Sequence, residues 1–175
     1  MARNIEIKAR VDDVEALKAA AAAIADRGPI EFSQDDTFFQ CDGGRLKLRA
    51  FGDGTGELIF YRRPNHPGPK ESFYLRSPTS SPGSLRRALT TAYGQMGRVR
   101  KNRTLYIAGR TRIHLDRVEQ LGSFLELEVV LNDDEPADSG VKEATELMAR
   151  LHVRSDQLID LAYIDLLQPQ PRGKI

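Results

Sequence analysis

The sequence predicts an α+β fold built on an antiparallel, eight-stranded closed β-barrel with flanking helices. Three observations carry that expectation. About eight segments have strand length, and several of them alternate polar with apolar residues. Glycine-rich turns join neighbouring segments into hairpins. The helical stretches fall between and after groups of strands, so strands and helices are segregated.

Each element has a local reason. From Asn4 to Val11 the chain alternates, with Asn4, Glu6, Lys8 and Arg10 on one face and Ile5, Ile7, Ala9 and Val11 on the other. That period of two marks a strand with one packed face. Asp12 and Asp13 are helix-start residues, the alanine-rich run to Ala25 favours helix, and Gly28-Pro29 is expected to end it. Ile30 to Cys41 reads as a strand, and Asp42-Gly43-Gly44 as a hairpin turn. Arg45 to Ala50 is a third strand, followed by the turn Gly52-Asp53-Gly54. Glu57 to Arg63 is a fourth, and Pro64 to Pro69 a proline loop. Glu71 to Ser77 is a fifth strand, with a Ser/Pro-rich linker expected from Ser77 to Ser84.

Leu85 to Tyr93 reads as a short helix closed by Gly94 and Gly97. Strands follow at Val99 to Ile107, Arg110 to Val118 and Ser123 to Leu131. Asn132 to Gly140 is an acidic loop, Val141 to Leu151 a helix, and Ser155 to Leu158 and Leu161 to Leu167 are short final pieces. The expected organisation is one domain over residues 1–167 and a flexible tail over 168–175.

Composition narrows the function. Lys plus Arg number 26 and Asp plus Glu 25, so the formal net charge is +1. No global basic field exists to draw nucleic acid. A single cysteine, Cys41, excludes an intramolecular disulfide framework and a Cys-cluster zinc site. With no long apolar run and no signal-peptide pattern, the expectation is a cytoplasmic protein without a membrane partner. Phosphate-binding glycine signatures and the G-x-S-x-G nucleophile motif are absent. A monomer or a homodimer fits the composition equally.

The arrangement of charge is more informative than its total. Lys8 and Arg10 share a strand face, as do Arg45, Lys47 and Arg49, then Lys101 and Arg103, then Arg112, His114 and Asp116. Glu6, Asp116, Glu126 and Glu128 fall on the same faces by parity. If these faces turn inward, they form a wet cavity for a polyanion. The carboxylates would then supply oxygen ligands of the kind that suit Mg²⁺ or Mn²⁺. The same alternation also describes the solvated face of a sheet, and spacing alone leaves both readings open.

The order of motifs adds a resemblance. Asn4-Ile5-Glu6-Ile7-Lys8 is similar to an E-x-E-x-K signature, with Asn4 in place of its first Glu. Asp36-Thr37-Phe38-Phe39, Arg45-Leu46-Lys47-Leu48-Arg49, Tyr61-Arg62-Arg63-Pro64 and Lys101-Asn102-Arg103 follow in order. His114 to Val118, Leu121 to Glu128 and Tyr163-Ile164-Asp165-Leu166-Leu167 complete the set. Together they resemble the CYTH superfamily, the triphosphate tunnel metalloenzymes, which includes class IV adenylyl cyclases and thiamine triphosphatases. The resemblance implies that Lys8, Lys47, Arg49, Arg62, Lys101 and Arg103 bind triphosphate oxygens. Arg10, Arg45 and Arg112 lie on matching faces as further candidates. Asp116, Glu126 and Glu128 would hold the divalent metal with help from Glu6, and Lys8, Glu126 and Glu128 would carry the catalysis. Asn4 supplies no charge, which bears on whether one metal or two are held.

The implied activity is metal-dependent hydrolysis of a triphosphate such as ATP, inorganic triphosphate or thiamine triphosphate. Conversion of ATP to cyclic AMP and pyrophosphate is the alternative. Non-catalytic binding of a polyphosphate or nucleotide is a second.

Overall fold

The computed structural model describes residues 2–168. Eight strands close into an antiparallel barrel in the order β1-β5-β4-β3-β2-β6-β7-β8. They are β1 (Ala2–Arg10), β2 (Arg27–Phe39), β3 (Arg45–Phe51), β4 (Gly56–Arg62), β5 (Lys70–Thr79), β6 (Gln95–Ala108), β7 (Thr111–Val118) and β8 (Gly122–Val130). The helices are α1 (Val14–Ile24), α2 (Pro82–Tyr93), α3 (Ala137–Arg150) and α4 (Tyr163–Leu167), with a 3₁₀ turn at Ser155–Gln157. The expected tail lies, beyond Gln168, outside the described residues. No described helix is long and apolar enough to cross a membrane.

The binary pattern of the barrel is turned inside out. Apolar residues of β1, β7 and β8 point outward, where α1 and α3 cover them. Ile7, Ala9, Ile113, Leu115, Leu125 and Leu127 pack with Leu17 and Ala21 of α1 and with Leu147 of α3. Ile5 and Val129 pack with Ala144 of α3. A Cβ at Gly140 would lie 2.6 Å from Ile5 Cγ1, so the absent side chain lets α3 settle on β1. With the apolar faces spent on helices, the polar faces are left to line the interior. A second cluster of Phe38, Val99, Val118, Phe124, Ala162, Tyr163 and Ile164 plugs one end of the barrel under α4.

Three boundaries differ from expectation for identifiable reasons. α1 ends at Ile24, and Gly28-Pro29 lies inside β2, where the register shifts between Arg27 and Ile30. A bulge tolerates the missing proline N–H. The expected linker instead continues β5, because Glu57 and Gly56 pair with Pro78 and Thr79. β1 pairs with β5 only as far as Tyr74, so no strand needs the N–H that Pro78 lacks on that side. α2 and α3 each begin a few residues early, α2 with Pro82 in its first turn.

Candidate active site

The inward faces enclose a cavity of about 380 Å³. Asn4, Glu6 and Lys8 of β1 line it, with Lys47 and Arg49 of β3, Lys101 and Arg103 of β6, Arg112 and His114 of β7, and Glu126 and Glu128 of β8. The cations therefore converge from different strands on one space. Lys101 and Arg103 lie in a mostly polar run, Arg98 to Arg103, whose spacing alone assigns no face; β6 turns both inward and sets Arg103 opposite Asp116.

Two buried carboxylates hold the cations in place. Asp116 is 1% exposed and accepts from Lys101 Nζ at 2.9 Å and Arg103 Nε at 2.6 Å. The Tyr163 hydroxyl donates to it at 3.1 Å. Burial opposes ionisation of Asp116, but Arg103 and Lys101 outweigh it and hold its carboxyl far below the usual range. On β2, Asp36 accepts from Lys47 at 2.9 Å and from Arg49 at 2.8 Å. Burial works against the Asp36 charge too, and Arg49 with Lys47 again prevails. Burial, together with the adjacent Arg49, pushes Lys47 down to about 8. Asp116, an expected metal ligand, lies outside the candidate metal group, and its oxygens accept from Lys101, Arg103 and Tyr163. Asp36 was legible only as part of a motif, not as a site residue.

A different group fits a metal. His114, Glu126 and Glu128 each offer a ligand atom, all within 4.8 Å of one another. His114 Nδ1 lies 3.9 Å from Glu126 Oε2 and 3.7 Å from Glu128 Oε1. It is buried and has no hydrogen-bond partner. Burial and the nearby Arg103 hold the imidazole below its usual pKa, so it offers a lone pair. Glu126 is ionised despite burial, because Lys8, Lys101 and Arg103 surround it. Against burial, the cationic Arg103 and Arg112 hold the Glu128 carboxyl low, and Arg112 reaches its other oxygen at 3.2 Å. Two ionised carboxylates and an open imidazole nitrogen suit a divalent ion such as Mn²⁺. Glu6 stands opposite Glu128 in the β1–β8 ladder but pairs with Arg63 at 3.0 Å. Burial pushes its carboxyl up.

Three predicted cations lie outside the cavity lining. Arg62 is exposed and donates to the Gly43 carbonyl at 2.6 Å. Its parity partners Leu58 and Phe60 also face outward, whereas Ile59, Tyr61 and Arg63 face in. Arg63 takes the place expected of Arg62, donating to the Asp160 carbonyl at 2.9 Å. Arg10 shares the parity of Lys8 but ends its strand, exposed and 5.2 Å over the Phe124 ring. Arg45 pairs with Asp165 at the plugged end. Tyr163 was read only as part of a terminal motif. Its ring lies 3.7 Å under Lys8 Nζ and closes this end of the tunnel.

Among the described residues, four buried side-chain polar atoms have no partner: Asn4 Oδ1, Gln34 Oε1, Arg86 Nη2 and His114 Nδ1. Three of the four belong to residues that line the tunnel. Unmet polar groups are costly when buried, so their concentration here points to a space built for a polar ligand.

Comparisons with known proteins agree with this geometry. The chain is 25% identical over 173 residues to adenylate cyclase CyaB of Aeromonas hydrophila, covering 94% of this chain and 88% of that protein. The PH1012 protein of Pyrococcus horikoshii OT3 superposes with a TM-score of 0.83 at 23% identity, covering 94% of this chain and 99% of the other. The Hippeastrum protein HpAC1, described as having a dominant triphosphatase activity, superposes with a TM-score of 0.62 at 17% identity, covering 93% and 94%. The family model for the CYTH domain matches residues 2–163, and the chain belongs to that family.

Proposed function

We propose that the protein is a metal-dependent enzyme that hydrolyses a triphosphate inside the barrel. One observation supports this above the others. Lys8, Lys47, Arg49, Arg63, Lys101 and Arg103 converge on a cavity whose wall also carries His114, Glu126 and Glu128. A triphosphate carries about four negative charges, and charge-assisted hydrogen bonds to these groups replace its hydration.

The chemistry follows from positions. Phosphoryl transfer needs little covalent help, so catalysis is mostly orientation and charge stabilisation. Asp36 and Asp116 fix Lys47, Arg49, Lys101 and Arg103 before substrate arrives, which removes reorganisation from the reaction step. Lys8 sits between Glu126 and the Tyr163 ring and is held at the inner end of the tunnel. His114, Glu126 and Glu128 would hold the divalent ion, Mg²⁺ or Mn²⁺, with Glu6 beside them. When bound, that ion supplies electrophilic polarisation of the phosphoryl group. The plug of Tyr163, Phe124 and Phe38 excludes bulk water from this end.

Conversion of ATP to cyclic AMP is the second reading, supported by the similarity to adenylate cyclase CyaB. It needs the ribose 3′-hydroxyl directed at the α-phosphorus, whereas hydrolysis needs only water. The deciding experiment incubates the protein with ATP or inorganic triphosphate and Mg²⁺ or Mn²⁺, then separates products by ion exchange. Phosphate release is expected. Cyclic AMP with pyrophosphate would establish the second reading. Tight binding without turnover would establish a non-catalytic binder.

A further inference from the structure

We propose that Lys47 is a site of covalent acylation by small acyl phosphates, held at their phosphate end by the tunnel cations while the Lys47 amine takes the acyl group. Such a site rests on the polyanion cavity proposed above and adds a covalent event at its wall.

Geometry singles out Lys47 among the lysines of the cavity. Lys8 is committed to Glu126 and lies against the Tyr163 ring. The Lys101 side chain is 3% exposed and donates to Asp116. The Lys47 side chain is 14% exposed, and its one ion-pair partner among the described residues is Asp36. Arg49 already grips that carboxylate twice, Nε to Oδ1 and Nη2 to Oδ2, both at 2.8 Å. Asp36 therefore stays neutralised when Lys47 gives up its proton, so Lys47 is the surplus cation of the group. The Phe38 and Tyr61 rings stand 5.6 and 5.5 Å from Nζ and hold water away from it. Burial first and Arg49 second lower Lys47 to about 8. At pH 7 about a tenth of it is free amine, against less than about a thousandth for an ordinary lysine. Burial and Arg103 lower Lys101 too, but that amine is enclosed.

A phosphate handle lies beside this amine. Besides Asp36, the charged groups that face Lys47 are Arg49 and Lys101. With Arg103 they offer donors to a single phosphate group. An acyl phosphate is smaller than the triphosphate proposed to fit the same cavity of about 380 Å³. Its carbonyl carbon is one bridging oxygen from phosphorus, so a phosphate on these donors presents that carbon to the neighbouring lysine.

In the step, the free amine attacks the carbonyl carbon. A C–N bond forms and the C–O bond to phosphate breaks. The electron pair leaves on the phosphate oxygen, and the proton lost by the amine passes to the departing phosphate. The products are N-acyl-lysine and inorganic phosphate, with nothing oxidised or reduced. The cations that hold the phosphate also stabilise it as it leaves. Acylation erases one cation of the tunnel and so weakens polyphosphate binding.

The test treats the full chain with acetyl phosphate in EDTA at about pH 8 and reads acetylation residue by residue by peptide mass spectrometry. Lys47 is expected to react at least about tenfold faster than the exposed Lys142. Saturating tripolyphosphate should abolish that excess and leave Lys142 unchanged. The ratio of Lys47 to Lys142 should fall by about tenfold with acetic anhydride, which lacks the phosphate handle. Calorimetry after acetylation should show tripolyphosphate bound about tenfold more weakly, and the same treatment of Lys47→Arg should leave its affinity unchanged. Equal rates at Lys47 and Lys142, faster labelling of Lys101, labelling that tripolyphosphate does not slow, or an unchanged ratio with the anhydride would each overturn the acylation site. With tripolyphosphate still bound by the untreated protein, each would leave the polyanion cavity standing. Failure of tripolyphosphate to bind the untreated protein would overturn both readings.

Discussion

His114 Nδ1 faces Glu128 Oε1 across 3.7 Å on adjacent strands, buried and without a hydrogen-bond partner. Parity alone brings them close: Arg112 pairs with Glu128 and His114 with Glu126 in the β7–β8 ladder, so both carboxylates flank the imidazole. The three side chains thus offer one nitrogen and carboxylate oxygens together, a donor set that could hold a divalent ion.

Mn²⁺ accepts imidazole more readily than Mg²⁺ does, so Mn²⁺ should bind the ligand-free protein more tightly. Glu128→Gln should weaken Mn²⁺ by at least about tenfold, and His114→Phe should narrow the gap between Mn²⁺ and Mg²⁺. Electron paramagnetic resonance of free Mn²⁺ in a titration measures both. A gap unchanged in His114→Phe would remove the imidazole from the ligand set. Glu126→Gln should abolish metal-dependent turnover while the circular dichroism spectrum stays native.

The exchange of Arg62 for Arg63 makes a direct test of the barrel register. Arg63→Ala should weaken tripolyphosphate binding by about tenfold, the scale of one charge-assisted hydrogen bond lost. Arg62→Ala should leave it unchanged, since that side chain is exposed on the outer face. Calorimetry on the two variants side by side decides; the reverse outcome would place β4 out of register by one residue.

Asp116 is a positioning carboxylate, and its removal should be felt first as instability. Asp116→Asn leaves Lys101 and Arg103 buried with too little negative charge. Breaking a buried pair in this way costs about 3 kcal/mol. Urea denaturation should show that loss, and tripolyphosphate should restore more stability to the variant than it adds to the wild type. A variant as stable as wild type would mean that solvent reaches these cations.

Lys47 gives the pH dependence. Its pKa is pushed down to about 8 from an ordinary 10.5, first by burial and then by Arg49. Between these values the folded chain holds fewer protons than the unfolded chain. The penalty that this lysine places on folding is therefore full below pH 8 and is relieved as pH rises toward 10.5. A bound polyanion favours the charged lysine, so tripolyphosphate binding at about pH 9 should take up a proton. Calorimetry in buffers of different ionisation enthalpy measures that uptake. It should vanish in Lys47→Met, and proton release instead would reverse the assignment.

Much was legible in the sequence because period-two alternation is a local property. β1, β3 and β8 each carry polar residues at successive alternate positions, and Lys8, Lys47, Arg49, Glu126 and Glu128 follow from them. Where alternation blurs, legibility fails. β4 carries Leu58, Ile59, Phe60 and Tyr61 in succession, so both faces look apolar and Arg62 stood in for Arg63. β6 begins with a run of polar residues that no local rule can face inward or outward.

The sequence by itself determined the strands, the hairpins, the concentration of charge on single faces and the resemblance to the CYTH family. Tertiary structure decided which way those faces point. α1 and α3 occupy the apolar outer surface, and closure of β1 onto β8 turns the charged faces on one another. It also separated equivalent-looking carboxylates. Asp116 is consumed by Lys101 and Arg103, while Glu128 keeps an oxygen toward His114, and only distances across strands distinguish the two. A sequence records charge by position along one strand. Whether a carboxylate orients a cation or stands free for a metal depends on what the neighbouring strands bring within about 4 Å of it.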